Sequence, residues 1–258
     1  MSNIPKIIHY CWFGNGEKSK LANKCMESWR VKLKNYEIIE WNEKNFDINC
    51  NKYVKEAYYA KKYAFVSDYV RLFALYNYGG IYLDTDVEVI KSLDEFLIHE
   101  AFAGFESEKE VQTGLMACKK GNKLFGEFLK QYEDRTFVKE DNIYDLTPNV
   151  VKLTEICEKY GLEKNNKLQI VNGLTIYPKT YFCPLNFNSD KSDFSSDTHV
   201  IHHFAGSWIS EEEKKRIQWL KKYSKRKEFL CKFMGEKNAL LILNAKANLS
   251  KKFKNSKG

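Results

Sequence analysis

At 258 residues, with 43% hydrophobic and 15% aromatic side chains, the chain can bury one substantial core, which excludes a disordered or fibrous protein. Its formal net charge of +8 is unevenly placed: Glu211 to Gly258 carry 15 Lys and Arg against 5 Asp and Glu, a net of +10, which leaves residues 1–210 at −2. Seven cysteines without Cys-x-x-Cys or Cys/His spacing argue against a disulfide framework or zinc site, and no apolar run reaches bilayer length or forms a signal-peptide core, so a cytoplasmic protein is expected.

Lys6 to Tyr10 reads as a first buried strand, followed by a turn at Gly14-Asn15-Gly16, a helix over 20–34 and a second strand over 36–41. This βαβ opening predicts a parallel, doubly wound sheet. No Gly-x-Gly-x-x-Gly follows the first strand, so a dinucleotide fingerprint is absent. From Ala64 to Tyr78 the pattern is apolar on nearly every face, which predicts a buried helix closed by Gly79. Asp68 and Arg71 are its charged residues, three apart on one face. Buried charges need partners, so they either pair with each other or also reach a polar ligand.

Gly79-Gly80-Ile81-Tyr82-Leu83-Asp84-Thr85-Asp86 is an apolar strand that ends in two carboxylates, with strand predicted to continue through Val87 to Ile90. On a strand Asp84 and Asp86 share a face, and two such charges a few ångströms apart repel by about 4 kcal/mol at an effective dielectric of 20. A divalent cation is the simplest neutralising partner, and the carboxyl end of a strand in an α/β sheet is where ligands bind. Strands are further predicted over 101–105, 168–171 and 199–204, with helices over 122–132 and from a Thr147-Pro148 start to about Lys159. The Asn-, Ser- and Asp-rich stretch 186–198 reads as a loop.

His202-His203 offers imidazole to a transition ion, with Gly206 and Ser207 able to approach a phosphate oxygen. Neighbours on a strand face opposite ways, so one of the pair can reach a metal while the other serves the surface or core. Trp12, beside the Gly14 turn, either stacks on a flat base or belongs to the core. Beyond residue 210, Lys214-Lys215-Arg216, Lys221-Lys222 and Lys225-Arg226-Lys227 interleave with Trp219, Tyr223, Leu230 and Phe233 in a helical pattern, either a solvated face or a surface for anionic lipid. No nucleic-acid recognition module is visible.

Together, Ile8 to Gly14, Ser67 to Arg71, Tyr76 to Asp86 and His202 to Trp208 resemble the sugar-binding-region family with a DXD motif, glycosyltransferase family 32 of capsular polysaccharide synthesis type. Their order and spacing also resemble the glucosyltransferase domain of large clostridial toxins. The resemblance implies an α/β fold of GT-A type, a Rossmann-like mixed sheet flanked by helices over residues 1–210. It implies a retaining hexosyl transfer from a UDP-sugar, aided by Mn2+ or Mg2+, to a glycan or lipid-linked glycan acceptor. The charge pattern beyond it predicts a basic helical C-terminal extension over 211–258 that can meet the inner face of the cell membrane. By position, Trp12 stacks on uracil in the segment begun by Ile8 and His9. Asp68 and Arg71 hold sugar hydroxyls near Tyr82, and Asp84 contacts ribose or sugar and, with Asp86, forms the acidic pair at the metal. Ser207 and Trp208 close over the diphosphate, and His202 or His203 completes the metal shell. The competing expectations are a phosphatase or phosphotransferase of haloacid dehalogenase type, with Asp84 as nucleophile, and a toxin-like protein glycosyltransferase.

Overall fold

In the computed structural model, β1 (Ile7–Cys11), α1 (Lys20–Lys32) and β2 (Glu37–Trp41) form a βαβ unit, with Ile8 beside Ile38 in parallel register. Residues 3–187, 192–206, 209, 212, 215–219, 221–223, 225–233 and 235 are described. Ser19 caps α1 by accepting from the Ala22 N–H, and Ala22, Cys25, Met26 and Trp29 form its buried stripe. α2 (Lys52–Tyr59) was not legible as a helix, although Asn51 caps it and Tyr53, Val54 and Ala57 are buried at helical spacing.

α3 (Tyr63–Tyr78) is the buried helix that the apolar run predicts, and it ends at Gly79 with φ of 71°. A Cβ at Gly79 would lie 2.7 Å from the Lys120 amide nitrogen, so both backbone angle and space require glycine. β3 (Gly80–Leu83) then runs parallel to β1, with His9 beside Tyr82.

The sheet is mixed. β5 (Ala101–Phe105) and β6 (Val111–Cys118) are antiparallel, β6 also pairs antiparallel to β3, β8 (Leu174–Tyr177) runs parallel to β5, and β7 (Gln169–Val171) closes the edge. The order is β2-β1-β3-β6-β5-β8-β7, so the mixed sheet flanked by helices stands and the wholly parallel doubly wound arrangement does not. The parallel expectation fails because β5 and β6 form a hairpin and no helical crossover separates them. Apolar clusters fill both faces, one with Val66, Val70, Tyr82 and Met116, the other with Ile8, Trp29, Ile81 and Phe182.

The chain also leaves the sheet earlier than expected after β3. The Val87 N–H donates to the Asp84 carbonyl at 3.0 Å, closing a turn across Asp84 to Val87, and β4 (Val87–Val89) pairs with β9 (Val200–His202) in a separate two-stranded ladder. α4 (Lys123–Lys130) begins at an Asn122 cap, whereas α5 (Asn149–Lys159) begins one residue later than predicted because Thr147 spends its hydroxyl on Asp145. α6 (Lys179–Phe182) is a single turn before β9.

By internal contacts the chain divides into two units, residues 1–185 with 192–208, and residues 186–191 with 209–258. The second is helical through its described residues 215–219, 221–223 and 225–233, with Trp219 stacked on Tyr223 at 5.3 Å.

Candidate active site

Register brings the carboxyl ends of β1 and β3 to one edge of the sheet, and the turn after β3 places both aspartates there. Asp84 remains tied to the sheet through its N–H, which donates to the Gly114 carbonyl of β6 at 2.8 Å. Asp86 is held from the other side: its backbone carbonyl accepts from the His203 N–H at 3.0 Å, and its carboxylate accepts from the Ala205 N–H at 2.8 Å. The β4–β9 ladder sets Val87 opposite His202, and so the imidazole arrives at the acidic turn. His202 Nε2 stands 3.4 Å from Asp86 Oδ1, and one ligand atom from each of Asp84, Asp86 and His202 lies within 4.8 Å of the other two.

Arg71 secures the opposite wall. Its guanidinium lies 3.0 Å from Asp68, 3.2 Å from Asp84 Oδ1 and 4.6 Å from the centre of the Tyr82 ring, and it donates to the Thr113 carbonyl at 2.8 Å. Tyr82 completes the brace with a 3.0 Å hydrogen bond to Asp84 Oδ1. Of the two readings of the Asp68–Arg71 pair, the mutual ion pair is present, and Arg71 is shared with Asp84 of the acidic turn.

Burial and charge set the protonation of these groups. Burial pushes Asp68 up to about 6 and also raises Asp84, with Arg71 opposing both shifts. For Asp86, burial is outweighed by His202 and the Ala205 N–H, which hold the carboxyl down at about 2. The reciprocal effect on His202 overcomes its own burial and raises its pKa well above the usual imidazole value. A cation at the triad would replace that proton, because only neutral imidazole donates to a metal.

Two carboxylates and an imidazole, converging at a partly buried turn, suit a divalent transition ion. The buried His202 Nδ1 has no oxygen or nitrogen partner, the Cys183 thiol being the ring's polar neighbour besides Asp86, so no strong acceptor of the fold holds that atom. Gly114 matters for the same reason: a Cβ there would come within 3.1 Å of His202 Nδ1 and 3.2 Å of Asp84 Oδ2. A glycine inside a strand is a known sign of close approach, and it was the one available sequence signal for this part of the wall.

Other predicted residues are placed apart from the triad. His203 stands outside the triad, its Nε2 pairing with Glu88 at 2.8 Å while Glu88 also takes Lys24. His9 is wholly buried, bonding to the Gly79 carbonyl through Nε2 at 2.8 Å and accepting from Trp41 at Nδ1, while Ile8 lies in the apolar core. Their side chains hold the strand and turn together. Burial lowers His9 to about 4, against the pull of the Gly79 carbonyl, so the ring is neutral at pH 7. Trp12, partly exposed at the end of β1, donates to the Gly16 carbonyl at 2.7 Å and carries the Lys18 ammonium 5.4 Å from its ring. Ser207 and Trp208 lie outside the described residues.

Comparison with known proteins first gives a class. Residues 19–103 match the family described as "Glycosyltransferase sugar-binding region containing DXD motif", a stretch that holds Asp68, Arg71, Tyr82, Asp84 and Asp86. Among individual proteins, the chain is similar to inositol phosphoceramide mannosyltransferase 3 of Schizosaccharomyces pombe, 31% identical over 134 residues that cover 46% of this chain and 34% of that protein. It is also similar to the Arabidopsis thaliana protein At4g19900, 26% identical with 60% of this chain and 22% of that one covered. The chain thus spans about a third and a fifth of the lengths of these curated relatives. Similar solved structures include the PaToxG glycosyltransferase, at a TM-score of 0.45 and 15% identity over 60% of this chain and 68% of that one. The galactosyltransferase LgtC, in complex with donor and acceptor sugar analogues, gives 0.41 and 14% over 83% and 94%.

Proposed function

We propose that the chain is a retaining, divalent-metal-dependent glycosyltransferase of GT-A type that moves a hexose from a UDP-sugar to a glycan or lipid-linked glycan, as in capsule or other polysaccharide assembly. The observation that carries this reading is the convergence of Asp84, Asp86 and His202 beside the Asp68–Arg71 pair, with both aspartates and both members of that pair inside the matched DXD region.

Mn2+ or Mg2+ at Asp84, Asp86 and His202 would supply Lewis-acid stabilisation of the charge that develops on the leaving diphosphate. The chain's own residues do the rest. Arg71 opposes the upward push of burial on Asp84, and the Tyr82 hydroxyl fixes the carboxylate's orientation. The Ala205 N–H and the His203 N–H lock the Asp86 turn, so the acidic pair needs little rearrangement when charge appears. Asp68 and Arg71 are assigned to donor-sugar hydroxyls, and Trp12 to the uracil face. Ser207 and Trp208 are assigned to the diphosphate by the resemblance of their segment.

The mannosyltransferase relative, named for inositol phosphoceramide, fits a lipid-linked acceptor. No helix among the described residues is long and apolar enough to cross a membrane. The basic, aromatic stretch after residue 210 is assigned to peripheral contact with anionic lipid at the inner face of the membrane. A panel of UDP-sugars assayed for sugar release and transfer with Mn2+ and with chelator tests the activity. One donor turned over only with metal supports it, whereas phosphate release without sugar transfer would overturn it in favour of a phosphatase.

A further inference from the structure

Gln112 is the most anomalous polar side chain in the described structure. It is wholly buried, and neither its amide oxygen nor its amide nitrogen has a hydrogen-bond partner. Each orphaned polar atom leaves its desolvation uncompensated, and a leucine would fill the same space without that penalty. Such a group in a native fold calls for a purpose.

Its surroundings supply one. The empty side of Gly104 faces the Gln112 amide, with Nε2 and the Phe182 ring each 3.0 Å from where a Cβ would stand. Two residues along the same strand, Gly114 leaves room for His202, whose Nδ1 would be 3.1 Å from a Cβ there. Cys183, next to Phe182, turns its thiol to His202 as a weak polar neighbour. Gln112 stands over Gly104 beside Phe182, and His202 stands over Gly114 beside Cys183, the next residue. Glu106, just past β5, is partly buried, shares the field of His202, Asp84 and Asp86, and makes no side-chain hydrogen bond or ion pair among the described residues.

The geometry points to Gln112 as a positioning residue for His202. Its amide oxygen accepts the Nδ1–H through one buried water, and its amide NH2 turns toward Glu106. That single chain satisfies the orphaned atoms of both side chains. It fixes the tautomer that presents Nε2 to the acidic turn, as outer partners of ligating histidines do elsewhere. Phe204, whose ring stacks on His202 at 4.2 Å, holds the imidazole plane from the other face.

This inference rests on the proposed metal site but is tested separately from it, by Mn2+ binding without any donor. Electron paramagnetic resonance titration of free Mn2+ is run on the whole chain, on Gln112→Leu, on Gln112→Glu and on Cys183→Ala. For Gln112→Leu the Mn2+ Kd is expected to rise about 10–100-fold, while the thermal midpoint holds or increases. Gln112→Glu keeps an acceptor and should stay near wild type, as should Cys183→Ala. The inference is overturned if Gln112→Leu binds Mn2+ as tightly as wild type, if it loses stability together with affinity, or if Cys183→Ala alone produces the loss. Absence of Mn2+ binding by the unaltered chain would instead count against the metal site itself.

Discussion

Replacing Arg71 by leucine removes one cation from between two buried carboxylates. In the folded chain the guanidinium, which is 5% exposed, lies 3.0 Å from Asp68 and 3.2 Å from Asp84 and also donates to the Ser67 and Thr113 carbonyls. Breaking a buried pair in this way leaves uncompensated charge and costs about 3–5 kcal/mol. The loss must depend on pH, and its sign is fixed. Without Arg71 the folded-state pKa values of Asp68 and Asp84 rise further above the unfolded carboxyl value, so protonation relieves the strain. Stability contributed in that way is present at low pH and lost as pH rises through the raised values. Since Asp68 already stands at about 6, the deficit of Arg71→Leu relative to wild type should shrink by about 1 kcal/mol or more between pH 7.5 and pH 5. Urea unfolding followed by far-ultraviolet circular dichroism measures both quantities. A deficit below about 1 kcal/mol at pH 7.5, or one that grows on acidification, would refute the reasoning.

His9 gives a stability prediction of opposite sign. Its folded pKa is lowered from 6.5 to about 4, so the stability tied to neutral His9 is complete above pH 6.5 and is lost as pH falls toward 4, by about 3 kcal/mol in total. His9→Gln should show a shallower decline over that window, and parallel curves for the two proteins would contradict the burial argument. For the basic extension, Lys221, Lys222 and Lys225 replaced together by glutamine should weaken co-sedimentation with phosphatidylserine vesicles about 100-fold, at about 1 kcal/mol per charge. Unchanged sedimentation, or equal binding to neutral vesicles, would remove the membrane assignment.

Much of this architecture was legible because the signals are local. The helix over 20–34, the strands on either side of it, the all-round apolar α3 and its glycine stop each follow from neighbours in sequence. The acidic pair at the end of β3 was legible for the same reason. Hidden features depend on partners far away in the chain. α2 carries too few apolar residues to stand out until Tyr53 packs on Tyr132, and the β5–β6 hairpin lacks a tight Gly-Asn turn, since Glu106 to Glu110 close it. The choice of His202 over His203 needed the β4–β9 register, which no spacing rule supplies. Ile8 and His9 sit in a motif that resembles a donor-binding strand, yet burial on β1 commits their side chains to Gly79, Trp41 and the core. Gln112, Glu106 and Gly114 carry no motif, and their relation to the site appears only when β5 and β6 are folded beside β3.

The central claim, that a divalent ion and a sugar nucleotide share the acidic turn, is tested most directly by titrating UDP into the chain in a calorimeter. The titration is run with Mn2+, with chelator, and with both Asp84 and Asp86 replaced by alanine on demonstrably folded protein. The account predicts binding that weakens by about tenfold or more when either the ion or the carboxylates are removed, with no additional loss when both are absent. UDP binding of equal strength under all of these conditions would contradict it.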